Sequence, residues 1–221
     1  MDEFIREVDE EYRRERILAV WRRYSGLIVA VAILVIAGVG GWRYWEHTQQ
    51  QQAQAAALRF DEAIRLSRDG KEDEAEKVFG SLSKDTPAGY GLLARFRLAA
   101  ETGKQNAEAG AKAYDALAND TGIDGAMQDL ARLRGAMLRV DLADPGSALR
   151  DLERLSSPTN PWRHTSRELL GLAALKRGDF DAAGRWFDQI AADRETPAGL
   201  RSRLEIYTAL AAGGPVQTAS Q

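Results

Sequence analysis

Between Arg23 and Arg43 the chain carries 19 consecutive uncharged residues, Tyr24 to Trp42, dominated by the run SGLIVAVAILVIAGVGGW. As a helix, 19 residues reach about 28 Å, close to the hydrocarbon thickness of a bilayer. Trp21 and Tyr24 lie at one end and Trp42, Tyr44 and Trp45 at the other, where amphipathic rings favour the headgroup layer. The pattern predicts a single transmembrane helix over 24–45 with these five aromatics as interface anchors. The competing reading is a secretory signal, which requires a short basic start, a shorter apolar core and a small-x-small cleavage site directly after it. Here the start runs to 23 residues, and the Ala53–Ala55 pair falls beyond Arg43, Trp45 and Glu46, so an uncleaved anchor is expected. Gly38, Gly40 and Gly41 are not a phosphate loop, because no Lys-Ser/Thr follows them. Ala37 and Gly41 have the small-xxx-small spacing of helix pairing in lipid.

Arg13, Arg14, Arg16, Arg22 and Arg23 precede the apolar run and only Arg43 follows it closely. Basic residues stay on the cytoplasmic side. The expected topology is a cytoplasmic N-terminal tail over 1–23 and a C-terminal part outside, in the periplasm if the source is bacterial. Phe4, Ile5, Val8 and Tyr12 recur at helical spacing in the tail, and Asp9–Arg13 and Glu10–Arg14 are favourable i,i+4 pairs. After the span, HTQQQQAQAAA over 47–57 holds neither Gly nor Pro. It reads as a helical stalk, 46–57, or as a flexible Gln linker.

From Ala56 onward the chain repeats itself. In GKEDEAEKVFGSL the turn glycine Gly70 is followed by Ala75, Phe79 and Leu82; in GDFDAAGRWFDQI the same offsets hold Gly178, Ala183, Phe187 and Ile190. Gly110, Tyr114 and Leu117 form a second such triplet and Ala148, Leu152 and Leu155 a third, so the small positions are separated by 35, 38 and 35 residues. This spacing is near the 34-residue tetratricopeptide period. Leu170-Gly171 with Ala174, and Leu93-Ala94, are expected to be the large-small pairs by which each first helix meets its partner. Pro87, Pro158, Pro161 and Pro197 fall between units, Pro145 in the third turn and Pro215 in the tail, so none interrupts a helix. The predicted fold class is all-α: a transmembrane helix followed by a tetratricopeptide-like solenoid of helical hairpins over 58–212. A last helix, about Ala198 to Ala212 with Leu200, Leu204, Tyr207 and Leu210, caps it, and 213–221 is expected to be a disordered tail.

Little chemistry is on offer. With no cysteine and only His47 and His164, thiolate zinc sites, disulfides and thiol nucleophiles are excluded and imidazole chemistry is scarce. His164 reads as an exposed turn residue and His47 as interfacial. Asp61-Glu62 and Glu72-Asp73-Glu74 are explained by solvation and helix dipoles. The Asp120–Asp124 stretch is not a calcium loop, since Gly122 holds the third position and Ala131 the twelfth. A net charge of -3 argues against a nucleic-acid partner. No catalytic residue, cofactor, metal or small-molecule substrate is expected, and the reading is a protein-binding scaffold rather than an enzyme. The partner-binding face is sought on the first helix of each hairpin, at Phe60, Ile64 and Arg68 in the first unit and at Leu172, Leu175 and Lys176 in the fourth, although apolar residues at helical spacing equally suit a core.

Three stretches carry a family resemblance: Gly41-Trp42-Arg43-Tyr44-Trp45 at the membrane exit, Tyr90-Gly91-Leu92-Leu93-Ala94, and Arg177-Gly178-Asp179 with Leu170-Gly171. Over nearly its whole length the chain resembles the ancillary SecYEG translocon subunit family, differing in its long charged start and its Gly-Gly-Pro tail. The resemblance implies a single-span bacterial inner-membrane protein with a periplasmic tetratricopeptide-like domain. It also implies association with the SecYEG translocon and with a membrane-anchored prolyl-isomerase-like periplasmic chaperone, assisting secreted or membrane proteins. The alternative function for such an architecture is a scaffold for cell-envelope or division proteins.

Overall fold

The computed structural model describes the backbone of residues 2–85, 88–142 and 145–214, and side chains within them other than those of 2–23, 28, 85 and 88. The regular structure of the described residues is all helix, without a strand: α1 (Asp2–Arg68), α2 (Glu72–Asp85), α3 (Ala88–Gln105), α4 (Ala107–Ala118), α5 (Gly125–Arg139), α6 (Gly146–Leu155), α7 (Arg163–Lys176), α8 (Phe180–Ala191) and α9 (Ala198–Gly213). Two compact units divide them, Met1–Ala55 and Ala56–Gln221. The first core side chain of the second unit is Ala56, 4% exposed.

In the first unit the apolar segment has no protein cover. Leu34 is 70% exposed and Ile36 71%, with Leu27, Ile33, Val35 and Val39 likewise open. That many aliphatic side chains around one helix are stable only in lipid or against another apolar surface. The segment is long and apolar enough to cross a bilayer. Beside it Tyr24, Trp42, Tyr44 and Trp45 are exposed, and the rings of Trp42 and Trp45 lie 5.6 Å apart. The side chains of Trp21 and of the expected tail contacts at Phe4, Ile5, Val8 and Tyr12 lie outside the described residues, as do 215–221, Pro87 and Pro215.

In the second unit, four hairpins follow the repeat. The end of α1 packs on α2 through Ala63 and Phe60 against Ala75 and Phe79; α3 pairs with α4, α5 with α6 and α7 with α8, while α9 lies on α8. All twelve positions of the repeated triplets, Ala75-Phe79-Leu82, Gly110-Tyr114-Leu117, Ala148-Leu152-Leu155 and Ala183-Phe187-Ile190, are buried. They lie on α2, α4, α6 and α8, and each hairpin alone leaves them partly open until the next helix covers them. Ala94 of α3 accordingly completes the cluster of the first hairpin, and Leu200 and Leu204 of α9 that of the fourth.

The turns explain the glycines. Gly70 and Gly178 both sit at φ +75°, where an L side chain meets its own carbonyl. At each, a 6→1 bond closes the helix, Lys71 N–H to Leu66 O at 2.9 Å and Asp179 N–H to Ala174 O at 3.0 Å. Helix starts are capped by Asn106, Asp124 and Asp179, whose side chains accept from Ala109, Ala126 and Ala182 N–H. Pro145 and Pro197 directly precede α6 and α9, and Pro158 and Pro161 lie between α6 and α7.

Three details differ from expectation. Leu93 is 45% exposed; the close approach in the second hairpin is made instead by Gly103 and Gly110, where a β-carbon on Gly110 would fall 2.3 Å from the Gly103 Cα. Leu210 is 54% exposed, and Ala211 packs in its place, because 200, 204, 207 and 211 share one face of a 3.6-residue helix and 210 does not. His164 belongs to α7 with its side chain 12% exposed, not to an exposed turn.

Candidate interaction face

The first helices of the hairpins are joined by side chains one repeat apart. Glu101 on α3, 2% exposed, accepts from Ser67 Oγ of α1 at 2.8 Å and from Lys104 Nζ at 2.7 Å. Lys176 on α7 meets Asp141, just past α5, at 2.6 Å. Glu168 on α7 accepts from Arg203 Nε of α9 at 2.9 Å and from the Tyr207 hydroxyl at 3.1 Å. These contacts set the register of successive units; the exposed ones contribute little stability singly.

Packing accounts for several candidate binding residues. Phe60 is half-buried, its ring 5.5 Å from Phe79 and 5.9 Å from Tyr90, and Ile64 lies against the same cluster. Leu175 packs against the fourth cluster, Lys176 is engaged by Asp141, and Leu172 is half-buried. Arg68 is exposed at the end of α1. The structure thus does not gather the six into one open face. The acidic residues of the 120–124 turn are equally occupied: Asp120 accepts from Gly122 N–H and pairs with Arg95 at 2.8 Å, and these two groups hold its carboxyl below the usual range, the Gly122 N–H contributing most. Among the described residues no group of three His, Asp or Glu could hold a metal ion.

What remains open lies elsewhere. On α3, Leu93 and Arg97 are exposed one turn apart; on α5, Arg134 and Met137 are exposed. Tyr114 of α4 links the two helices: its hydroxyl donates to Phe96 O at 3.2 Å, and a β-carbon on Gly135 would stand 3.4 Å from its Cβ. Burial raises the Tyr114 pKa, and Arg134 and Arg97, acting through space, oppose that rise. Sequence reading missed these four, since an exposed Leu or Met at helical spacing looks like core until a partner's position is known.

The densest ionic cluster is structural. Asp193, between α8 and α9, receives Arg163 Nε at 2.7 Å, with Arg167 Nη1 at 3.4 Å and His164 Nε2 standing 2.9 Å away; Arg163 also pairs with Glu195. Arg163, and after it the Glu195 N–H, hold the Asp193 carboxyl far below the usual range. A carboxyl lowered by folding stabilises the fold above its unfolded value, ordinarily 3.8, and that stabilisation is lost as the pH falls through the lowered value. Asp193→Asn is therefore expected to melt lower than the parent at pH 7, the gap closing as the pH drops below 3.8. A gap independent of pH in thermal unfolding would refute the ionic account.

The comparisons agree with this architecture. A family model described as a tetratricopeptide repeat-like domain matches residues 19–206. Among proteins of known name, the ancillary SecYEG translocon subunit of Escherichia coli (strain K12) is 30% identical over 195 residues, 85% of this chain and 91% of that protein. The proteins of the same name from Haemophilus influenzae (strain ATCC 51907 / DSM 11121 / KW20 / Rd) and Aggregatibacter actinomycetemcomitans are 25% and 24% identical, each over 82% of this chain and 88% of its own length. No solved structure matches the chain. With one apolar helix ahead of a stack of helical hairpins, and relatives that align over nearly their full length, the chain belongs to the ancillary SecYEG translocon subunit family, whose repeat fold is a protein-interaction scaffold.

Proposed function

We propose that this chain is a non-enzymatic adaptor held in the bacterial inner membrane by 24–45, with its tail in the cytoplasm and its repeat unit in the periplasm beside the Sec translocon. There it brings a membrane-anchored chaperone of the prolyl-isomerase type to emerging secreted or membrane proteins. The observation that carries the reading is the likeness to proteins named as translocon subunits over 85% of the chain. The excess of arginines ahead of that helix supports the orientation. An anchor confines the repeats to the region of the channel, which raises the effective concentration of every partner there and lets weak contacts suffice.

The test is crosslinking in native membranes from a photoreactive residue at the exposed Leu58 or Leu93, with partners identified by mass spectrometry. Translocon subunits and a membrane-anchored prolyl isomerase are the expected products; recovery of neither rejects the adaptor role. Protease protection in spheroplasts should leave the 24–45 segment and the tail intact while the repeats are digested, and the reverse pattern rejects the orientation.

A further inference from the structure

We infer that residues 215–221 turn back from the end of α9 and seat Val216 and Ala219 in the groove between α8 and α9, as the opening turns of a fifth hairpin rather than a loose tail.

The groove is the first argument. Phe180 and Gly184 of α8 and Thr208, Ala211 and Ala212 of α9 line an open cleft of about 490 Å³. Phe180 and Ala211 are half-buried, and a β-carbon on Gly184 would meet nothing within 4 Å, so the cleft has apolar surface and room for side chains. One unit earlier the joint between α6 and α7 is covered by α8, whose Trp186 packs on the cluster that holds Leu149, Leu152 and Leu170. Among the described residues no helix follows α9 to do the same for α8 and α9.

The sequence at the end of α9 is the second. After α7, Gly178 stands at φ +75° and Asp179 caps α8; the half-buried Phe180 comes two residues after the glycine and the fully buried Ala183 five after it. Gly70, also at φ +75°, and the fully buried Ala75 keep the same spacing in the first hairpin. After α9, Gly214 stands at φ +63°, and Val216 and Ala219 follow it by two and five residues. Pro215 falls where Asp179 does, a place that Pro145 and Pro197 hold before α6 and α9. A proline there lacks only an N–H that the first helical turn leaves unbonded. Three residues apart, Val216 and Ala219 share one face of a helix.

Reach and charge agree. Seven residues wound as a helix cover about 10 Å, enough to run back past Ala212 and Ala211 to Thr208. Residues 215–221 hold no charged side chain, so seating them buries no unpaired charge in a groove that Asp181, Arg185 and Asp188 also line.

The test exploits a chain without cysteine, in which an engineered pair reports one contact. In the full chain in detergent micelles, Thr208→Cys/Ala219→Cys is expected to form an intramolecular disulfide under copper–phenanthroline about tenfold faster than Ile206→Cys/Ala219→Cys. Residue 206 lies about 160° around α9 from residue 208. Their separations from 219, 13 and 11 residues, close with nearly equal entropy. Adding Val216→Asp should bring the two rates together. Equal rates in the two pairs, a preference that survives Val216→Asp, or a disulfide between two chains instead of within one overturns the proposal. Should either pair lose its helical signal, hydrogen exchange decides. Removing residues 215–221 should speed exchange over 208–212 about tenfold, and unchanged exchange rejects the seat. Neither readout involves the translocon, so this inference and the adaptor role fail separately.

Discussion

Phe187→Ala is expected to cost about 3–5 kcal/mol of unfolding free energy, as buried aromatic truncations do, and to lower the melting temperature by roughly 10 °C. The ring is fully buried, stacked 5.3 Å from Tyr207 and surrounded by Ala174, Ala183, Ile190, Leu200 and Leu204. It ties α7, α8 and α9 together, so its loss opens the fourth hairpin and its cap at once. Its place over α7 exists because residue 171 is glycine: a β-carbon there would fall 2.3 Å from the Phe187 Cε1. Gly171→Ala alone should therefore destabilise, although alanine is the better helix former by about 1 kcal/mol, because the ring has no free volume to move into. In the double variant the added methyl enters the space the ring has left. The two costs should fall short of their sum by about 1 kcal/mol or more, measured by urea unfolding of the full chain in detergent. Simple additivity would mean that the ring and the glycine do not share that space.

Gly110→Val is expected to cost about 3 kcal/mol by overpacking, with no suppressor among side chains. The atoms a β-carbon would meet are backbone, Gly103 Cα at 2.3 Å, Gly103 N at 2.6 Å and Ala99 O at 2.9 Å. Helices α3 and α4 must then separate, which loosens the Tyr114 hydroxyl from Phe96 O and the cluster around Leu117 and Ala131. Truncation elsewhere, Leu117→Ala for example, should add to the damage rather than relieve it. A Gly110→Val protein that melted with the parent would show that the two helices approach less closely than described. Gly171 and Gly110 hold similar roles in their hairpins, yet one is backed by a removable ring and the other by main chain, and the unfolding data should separate them on that ground.

The repeat register was readable because it rests on local chemistry. A glycine at positive φ, a small residue five positions on and two bulky residues at helical offsets mark the turn and buried face of α2 and α8. The same offsets without the glycine mark α4 and α6. The membrane segment was readable for the same reason, a composition no water-facing helix carries. The candidate face was less legible. Phe60, Ile64 and Leu175 share the apolar spacing of Leu93, and nothing in spacing tells that the first three meet neighbours while Leu93 faces outward. His164 has the same explanation: its acid, Asp193, is 29 residues away in sequence and 2.9 Å away in space.

The order of residues alone determined that one helix is suited to lipid and that paired helices follow it with a period near 35, because both properties depend on side chains a few positions apart. Which sides of those helices are covered, which arginines find an acid and which are left facing water were decided only when hairpins stacked. Those outcomes depend on groups a whole repeat apart whose distance no local rule sets.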